Sequence, residues 1–526
     1  MSGWAKAPES RDQIVLFPTR LDDVVPQDHC VRLLDEILER LDWSAWEAKY
    51  HLQFGQPPIH PRVVAGVLLY GLLTRIRSSR ALENAVQERI DFRWLVEGRS
   101  LDHTTISKFR RAHSAELGRS FVAICRTARE LGLVTLERLG YDGTRVRANN
   151  RRTGTRTPDE LRKERDELAA KFADYERQAR EQDARDEEAF SLHGPLELPA
   201  ELRNKGPRLE KLNQVLAKME QSKHAGRKSP KRIPRTDLDA RVMPNKDGGC
   251  APNYTPVATV DIAGGLIVHA DVLNEVNEDG YLLKAVDEVV GEFDLTESPP
   301  DVLADGLIGT GANLAGCAER GIDLYSPSGM PDPAANPCLR DDPTQPVSPQ
   351  VMDRIPMHTV KAGQPRQIDK SAFLYDEQRN CYWCPQGKPL TSKGTTSEAT
   401  ASGRRIRERF RADPEACAGC PLRDRCLTGK TKAREINREQ YETQRTTHAE
   451  KMATPEAQAI YKERRHAGER PFATIKQMFG LRQFLLRGLV NVTTEWLWAV
   501  LAFNLHRLMS FLRTRAGPPR GLLAAA

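Results

Sequence analysis

Three acidic residues, far apart in the chain, stand where a carboxylate could hold a hard cation. Asp142 lies in RLGYDGTRV (residues 138–146), which reads as a strand and a turn. Asp305 ends VLAD, a short apolar strand, just before Gly306. An Asp at the carboxyl end of a buried strand faces the mouth of an α/β sheet, where ligands bind. Glu469 lies in RRHAGERPFATIKQMFG. Pro471 suits a first helical turn and Gly480 a C-cap, so a helix starts near Glu469. Lys476, seven residues on, shares its face. Taken singly, each acid has an ordinary explanation. Asp-Gly is a turn dipeptide, and a Glu at a helix start complements the dipole. Taken together, three carboxylates on separate elements can hold two Mg²⁺ (or Mn²⁺) ions, because hard cations take oxygen ligands and keep waters for a substrate phosphate.

A second constellation is sulfur-based. CYWC (Cys381, Cys384) is followed by CAGC (Cys417, Cys420) and then Cys426. Two Cys-x-x-Cys pairs predict a structural Zn²⁺ held by four of these five thiolates. Four sulfur ligands leave no open position, which argues against catalytic zinc. The metal would staple an insertion with little core of its own, and it would also stiffen a DNA-contacting surface. His60, His103 and His466 are isolated and read as capping or surface histidines.

The charge distribution is uneven. The net charge is +7 over 526 residues. Residues 203–235 hold eleven Lys/Arg against two Glu, and residues 404–438 hold eleven against five acids. Residues 271–305 hold eleven acids and one Lys. Basic segments therefore flank an acidic middle, as expected if DNA-tracking surfaces surround a cation-binding centre. The start, MSGWAKAPESRDQ, has no apolar stretch of the secretory kind. The stretch from Trp496 to Leu512 is too short and too polar to span a bilayer and reads as a buried helix. Ten cysteines in a chain this long point to metal in a reducing compartment rather than a disulfide framework.

The elements that would position these groups can be read from periodicity. Residues 28–132 are mostly helical: Val31, Leu34, Leu38 and Leu41 share a face, and Pro61 opens a second helix. In DHTTISKFRRAH, Asp102 or Thr104 caps a helix carrying Lys108, Arg110 and Arg111. Short helices with such a basic start resemble a helix-turn-helix arrangement. Residues 157–190 and 208–223 form a charged helical hairpin, followed by the basic linker HAGRKSPKRIPR. TPVATVDIAGGLIVHADVL is two β-branched runs split by Ala263-Gly264-Gly265, a hairpin signal. A helix, a strand ending at Asp305, a helix and another strand follow. The class is α/β, with a long insertion after the first strand. Residues 328–454 are rich in Pro, Cys and Arg with weak periodicity, and the chain is helical again from Thr454 to Leu512.

In this order the segments resemble the DDE transposases of bacterial insertion sequences, of the 1182-type group. GQPPIHPRVVAGVLLYGLLTRIRSSRALENA, FRWL and DHTTISKFRR look like that family's helical N-terminal domain. LGYDGTRVRANN looks like its first-aspartate strand, and DARVMPNKDGG, YTPVATVD and GLIVHADV like the hairpin that follows. VLADGLIGTGANLAGCAERGIDLYSP looks like its second-aspartate block. ERPFATIKQMFGLRQFLLRGLVNVTTEWLWAVLAFNLHRL looks like its glutamate helix and closing helix.

The resemblance implies a ribonuclease-H-like core with Asp142, Asp305 and Glu469 as catalytic cation ligands. It implies cleavage at the ends of a mobile element and strand transfer to double-stranded target DNA. A homodimer in the synaptic complex and a bacterial cytoplasmic setting follow. The expected organisation is a DNA-binding N-terminal domain (1–135), a core (136–150, 236–330 and 455–515), a helical insertion (151–235) and a zinc-containing basic insertion (331–454). A related group carries Tyr, two residues, Arg, three residues, Glu, six residues, Lys. Arg465, Glu469 and Lys476 fit that spacing, and the resemblance gives Arg465 and Lys476 phosphate-contacting roles; Tyr461 stands one position too early. Other readings are a catalytically silent DNA-binding descendant and a nuclease that cuts without joining.

Overall fold

The computed structural model describes residues 20–50, 57–150, 154–189, 198–203, 205–224, 231–245, 248–359, 366–400, 403–429, 431–467 and 469–516. The N-terminal part is built of helices whose ends carry their own stop and start signals. Val31, Leu34 and Leu38 are buried along the helix Cys30–Glu39. The helix Pro61–Leu73 is capped by the His60 ring, which accepts the Arg62 N–H, and nearly all of its residues are buried. Asp102 caps His103–Ala112 by accepting the N–H groups of Thr104 and Thr105.

Seven strands form the main sheet: β1 (Arg138–Gly143), β2 (Val146–Arg147), β3 (Arg241–Pro244), β4 (Cys250–Asp261), β5 (Ile267–Leu273), β6 (Asp301–Leu303) and β7 (Leu324–Tyr325). β4 is buried along all but its first residue and pairs antiparallel with β1 and β5. Such burial explains its β-branched run. β1 and β6 run parallel, as do β6 and β7. At the β4–β5 turn, Gly265 takes φ +67°, and a Cβ on Gly264 would stand 2.0 Å from the Leu133 carbonyl oxygen. Only glycine fits there.

Between β2 and β3 lie two helices, Pro158–Ala189 and Gly206–His224, which pack around Leu161, Leu212, Val215 and Leu216. The helix Leu489–Ala516 closes the molecule. Asn504 grips the backbone of Ile267 twice, accepting its N–H at 2.9 Å and donating to its carbonyl at 2.7 Å. Trp496 donates to the Val257 carbonyl and Trp498 to the Arg110 carbonyl. The same helix therefore seals the sheet and the N-terminal helices, and one apolar core runs through both. Among the described residues, no helix is long and apolar enough to cross a membrane.

Residues 374–439 hold a feature that the weak periodicity of this region hides. Five antiparallel strands (Leu374–Asp376, Cys381–Trp383, Pro389–Thr400, Gly403–Ala412 and Glu435–Glu439) form a separate sheet. Tyr382, Leu390, Phe410 and Ile436 supply its buried face.

Candidate metal centre

Backbone register places the two aspartates side by side. Gly140 of β1 lies opposite Leu303 of β6 in the parallel pair. Asp142 and Asp305 each follow two residues later, so both leave the carboxyl ends of adjacent parallel strands at one level. Leu139 and Tyr141 anchor β1 in the core, and Val302 and Leu303 anchor β6. The Asp305 carboxylate accepts the N–H groups of Leu307 (2.9 Å) and Ile308 (3.2 Å), which fixes its turn.

A third acid joins them. Carboxylate oxygens of Asp142, Glu278 and Asp305 all lie within 4.8 Å of one another, the single such cluster of potential metal ligands among the described residues. Glu278 comes from the loop after β5. Its carbonyl accepts the Tyr141 hydroxyl at 2.9 Å, and the next carbonyl, of Asp279, accepts the Asn313 side-chain amide at 2.9 Å. At this spacing each like-charged pair repels by roughly 3 kcal/mol at an effective dielectric of about 20.

Two guanidinium groups partly offset that repulsion. Arg464 stands 3.4 Å from Asp142, and Arg145 stands 3.8 Å from Glu278. The Arg464 Nε is buried without a hydrogen-bond partner among the described residues. Burial raises the Asp142 carboxyl to about 6, against the opposing pull of Arg464 and of the Gly143 N–H. Burial also raises the Glu278 carboxyl, with Arg145 opposing. Both shifts express the cost of charge held out of water with incomplete pairing.

Glu469 is the first residue of the helix Glu469–Gln477; its side chain lies outside the described residues. Phe472 and Ile475 of that helix are buried, and Phe472 stacks on Trp496. Lys476, two turns after Glu469, donates to the Thr144 hydroxyl just beyond β1. Arg465 is exposed, and its neighbour Arg464 is the residue that meets Asp142.

Comparison with known families decides how to name this arrangement. Residues 383–509 match the family described as Transposase DDE domain, and residues 19–112 match Transposase domain (DUF772). The chain carries the transposase domains of the insertion-sequence DDE type. No curated protein matches the chain. The mixed α/β structure with its acidic trio is compatible with a ribonuclease-H-like DDE core. Asp142, Glu278 and Asp305 lie between the two matched segments, and Glu469 lies inside the DDE match.

Within the matched N-terminal transposase segment, Lys108 and Arg111 are exposed on the helix His103–Ala112. Arg110 corrects the sequence expectation of a DNA-facing residue. It is 7% exposed, and its guanidinium donates to the Arg77 carbonyl at 2.5 Å inside the helical part. Helical phase, not residue type, turns it inward.

Of the five cysteines between residues 381 and 426, four share one setting. Cys384, Cys417, Cys420 and Cys426 pack against one cluster of the inserted sheet, and each of Cys384 and Cys426 lies in the electrostatic field of the other sulfurs. Burial pushes the Cys384 thiol up, and the Lys388 N–H donated to its Sγ at 3.3 Å opposes that push. Cys381 is buried in its strand beside Asp376 and Arg379. Cys384 follows the last residue of that strand, Trp383, and packs against the cluster of the sheet. The four sulfurs are more open than the carboxylate trio: no three of them meet within 4.8 Å.

The one acid missed from the sequence, Glu278, had a faint signal. Glu278 sits in the acidic stretch 271–305, but its neighbours Glu275 and Asp279 are equally acidic, and nothing local separates them.

Proposed function

We propose that this chain is a DNA transposase that cuts the ends of an insertion sequence and joins them to target DNA, with Asp142, Asp305 and Glu469 as the divalent-cation ligands. The observation that carries the reading is the placement of Asp142 and Asp305 at one level on adjacent parallel strands, with oxygens within 4.8 Å. Two Mg²⁺ or Mn²⁺ ions bound there would activate an attacking oxygen and stabilise a leaving one. The protein's own groups bind and orient. Lys476, held at Thr144, and Arg464, held at Asp142, are placed to clamp a DNA phosphate as it enters. Arg465, exposed one position on, serves the incoming backbone at longer range. Lys108 and Arg111 contribute phosphate contacts from the N-terminal helices. Two ends must be brought together, so a homodimer is the natural active species. A structural Zn²⁺ held by Cys384, Cys417, Cys420 and Cys426 closes the inserted sheet.

The test is an in vitro reaction with Mg²⁺, DNA carrying the element's ends, and a supercoiled target. Wild-type protein should yield both cleaved ends and joined products, and Asp142→Ala neither. Full cleavage by Asp142→Ala would refute the assignment.

A further inference from the structure

We infer that Glu278 is a ligand of the divalent cation, so that the DNA-free protein binds its first ion through Asp142, Glu278 and Asp305. The inference rests on the transposase reading for the ion's purpose, but its geometry stands by itself. The loop carrying Glu278 is pinned from both sides. Tyr141, one residue before Asp142, holds the Glu278 carbonyl, and Asn313 holds the Asp279 carbonyl. Asn313 also donates to the Ile308 carbonyl, in the turn that Asp305 organises. The side chains that fix the first and second aspartates thus fix Glu278 as well.

Gly143 supplies the space. A Cβ there would stand 3.0 Å from the Glu278 carboxyl carbon and 3.1 Å from one of its oxygens. The strand after Asp142 is therefore bare where the Glu278 carboxylate lies against it. An acid needed only for solubility would turn to water. This one is instead half-buried beside two other acids, facing Arg145 at 3.8 Å. Arg464 occupies the Asp142 side of the same cluster, with a buried Nε that has no partner among the described residues. Two guanidinium groups so placed stand where positive charge is required, and a divalent ion with oxygen ligands satisfies three carboxylates better than either does.

The experiment is Mn²⁺ binding to the full-length protein without DNA, followed by calorimetry and by the electron paramagnetic resonance of free Mn²⁺. Glu278→Gln should weaken binding about tenfold or more, comparably to Asp142→Asn, while Glu278→Asp keeps part of the affinity. Gly143→Ala should weaken it with all three acids still present. Glu275→Gln, in the same loop, should bind as wild type does. Far-UV circular dichroism and melting curves establish that each variant is folded. Wild-type affinity in Glu278→Gln, equal loss in Glu275→Gln, or no Mn²⁺ uptake by wild type would each overturn the inference. The transposase reading fails separately: Mn²⁺ binding would depend on Glu278, yet end-containing DNA would remain uncut by wild type.

Discussion

Asp142 is enclosed by the Gly143 N–H, the Arg464 guanidinium and two further carboxylates, and its side chain is 17% exposed. A carboxyl raised from its ordinary value of 3.8 to about 6 holds its proton longer in the folded chain than in the unfolded one. Its favourable contribution is full below pH 3.8 and is lost as pH rises through about 6. At pH 8, without added metal, the ionised group burdens the fold by up to about 3 kcal/mol. Asp142→Asn should therefore melt at higher temperature than wild type in chelator at pH 8, with the gap closing towards pH 4. A lower melting temperature at pH 8 would show that the Arg464 pair outweighs burial. The two neighbouring arginines differ in the same way. Arg464→Ala should slow cleavage of end DNA on the order of 100-fold, since it removes a charge preorganised at the reacting phosphate. Arg465→Ala should cost much less, measured as single-turnover rates.

The elements that carry these groups have distinct jobs. On the helix His103–Ala112, Arg110 is structural, whereas Lys108 and Arg111 are exposed. Arg110→Ala should destabilise the protein by about 2 kcal/mol in urea melts, because the Arg77 carbonyl loses its partner. Lys108→Ala and Arg111→Ala should leave the melts unchanged and each reduce the salt slope of DNA binding by about one. The inserted sheet makes a different prediction. Metal analysis should find zinc bound to the chain; Cys384→Ser and Cys420→Ser should lose it, and Cys381→Ser should retain it. Zinc lost from Cys381→Ser would reverse the ligand assignment. The hairpin of this sheet spends part of its positive charge internally, since Arg405 and Arg445 pair with Glu439 and Arg409 lies 3.9 Å from Glu435. Such exposed pairs add little stability.

At the scale of the molecule, the helix Leu489–Ala516 joins what the sequence divides. Its Trp498 reaches the N-terminal helices and its Asn504 grips β5, and the apolar core passes between them without a break. A fragment of residues 20–135 would expose that helix's docking face. Expressed alone, it should lack a cooperative melting transition, whereas a self-contained domain would show one. Arg77 and Glu495, both largely buried and 2.8 Å apart, tie the same two regions.

Much was legible locally. His60 before Pro61, Asp102 before its helix, the Ala263-Gly264-Gly265 turn and the Gly480 stop are all readable because caps, turns and periodicity act over a few residues. The sheet of residues 374–439 was not legible, because its inward residues are few and lie among arginines and threonines. The residue types of Asp142 and Asp305, their strand-end settings and the cysteine spacing are sequence properties. Their meeting is not. Parallel register brings Asp142 level with Asp305, a pinned loop and a missing Cβ admit Glu278, and side-chain direction selects Arg464 and turns Arg110 inward. Periodicity specifies which face a residue occupies on its own element. Which faces meet depends on how elements separated by hundreds of residues pack, and only the tertiary structure settles that.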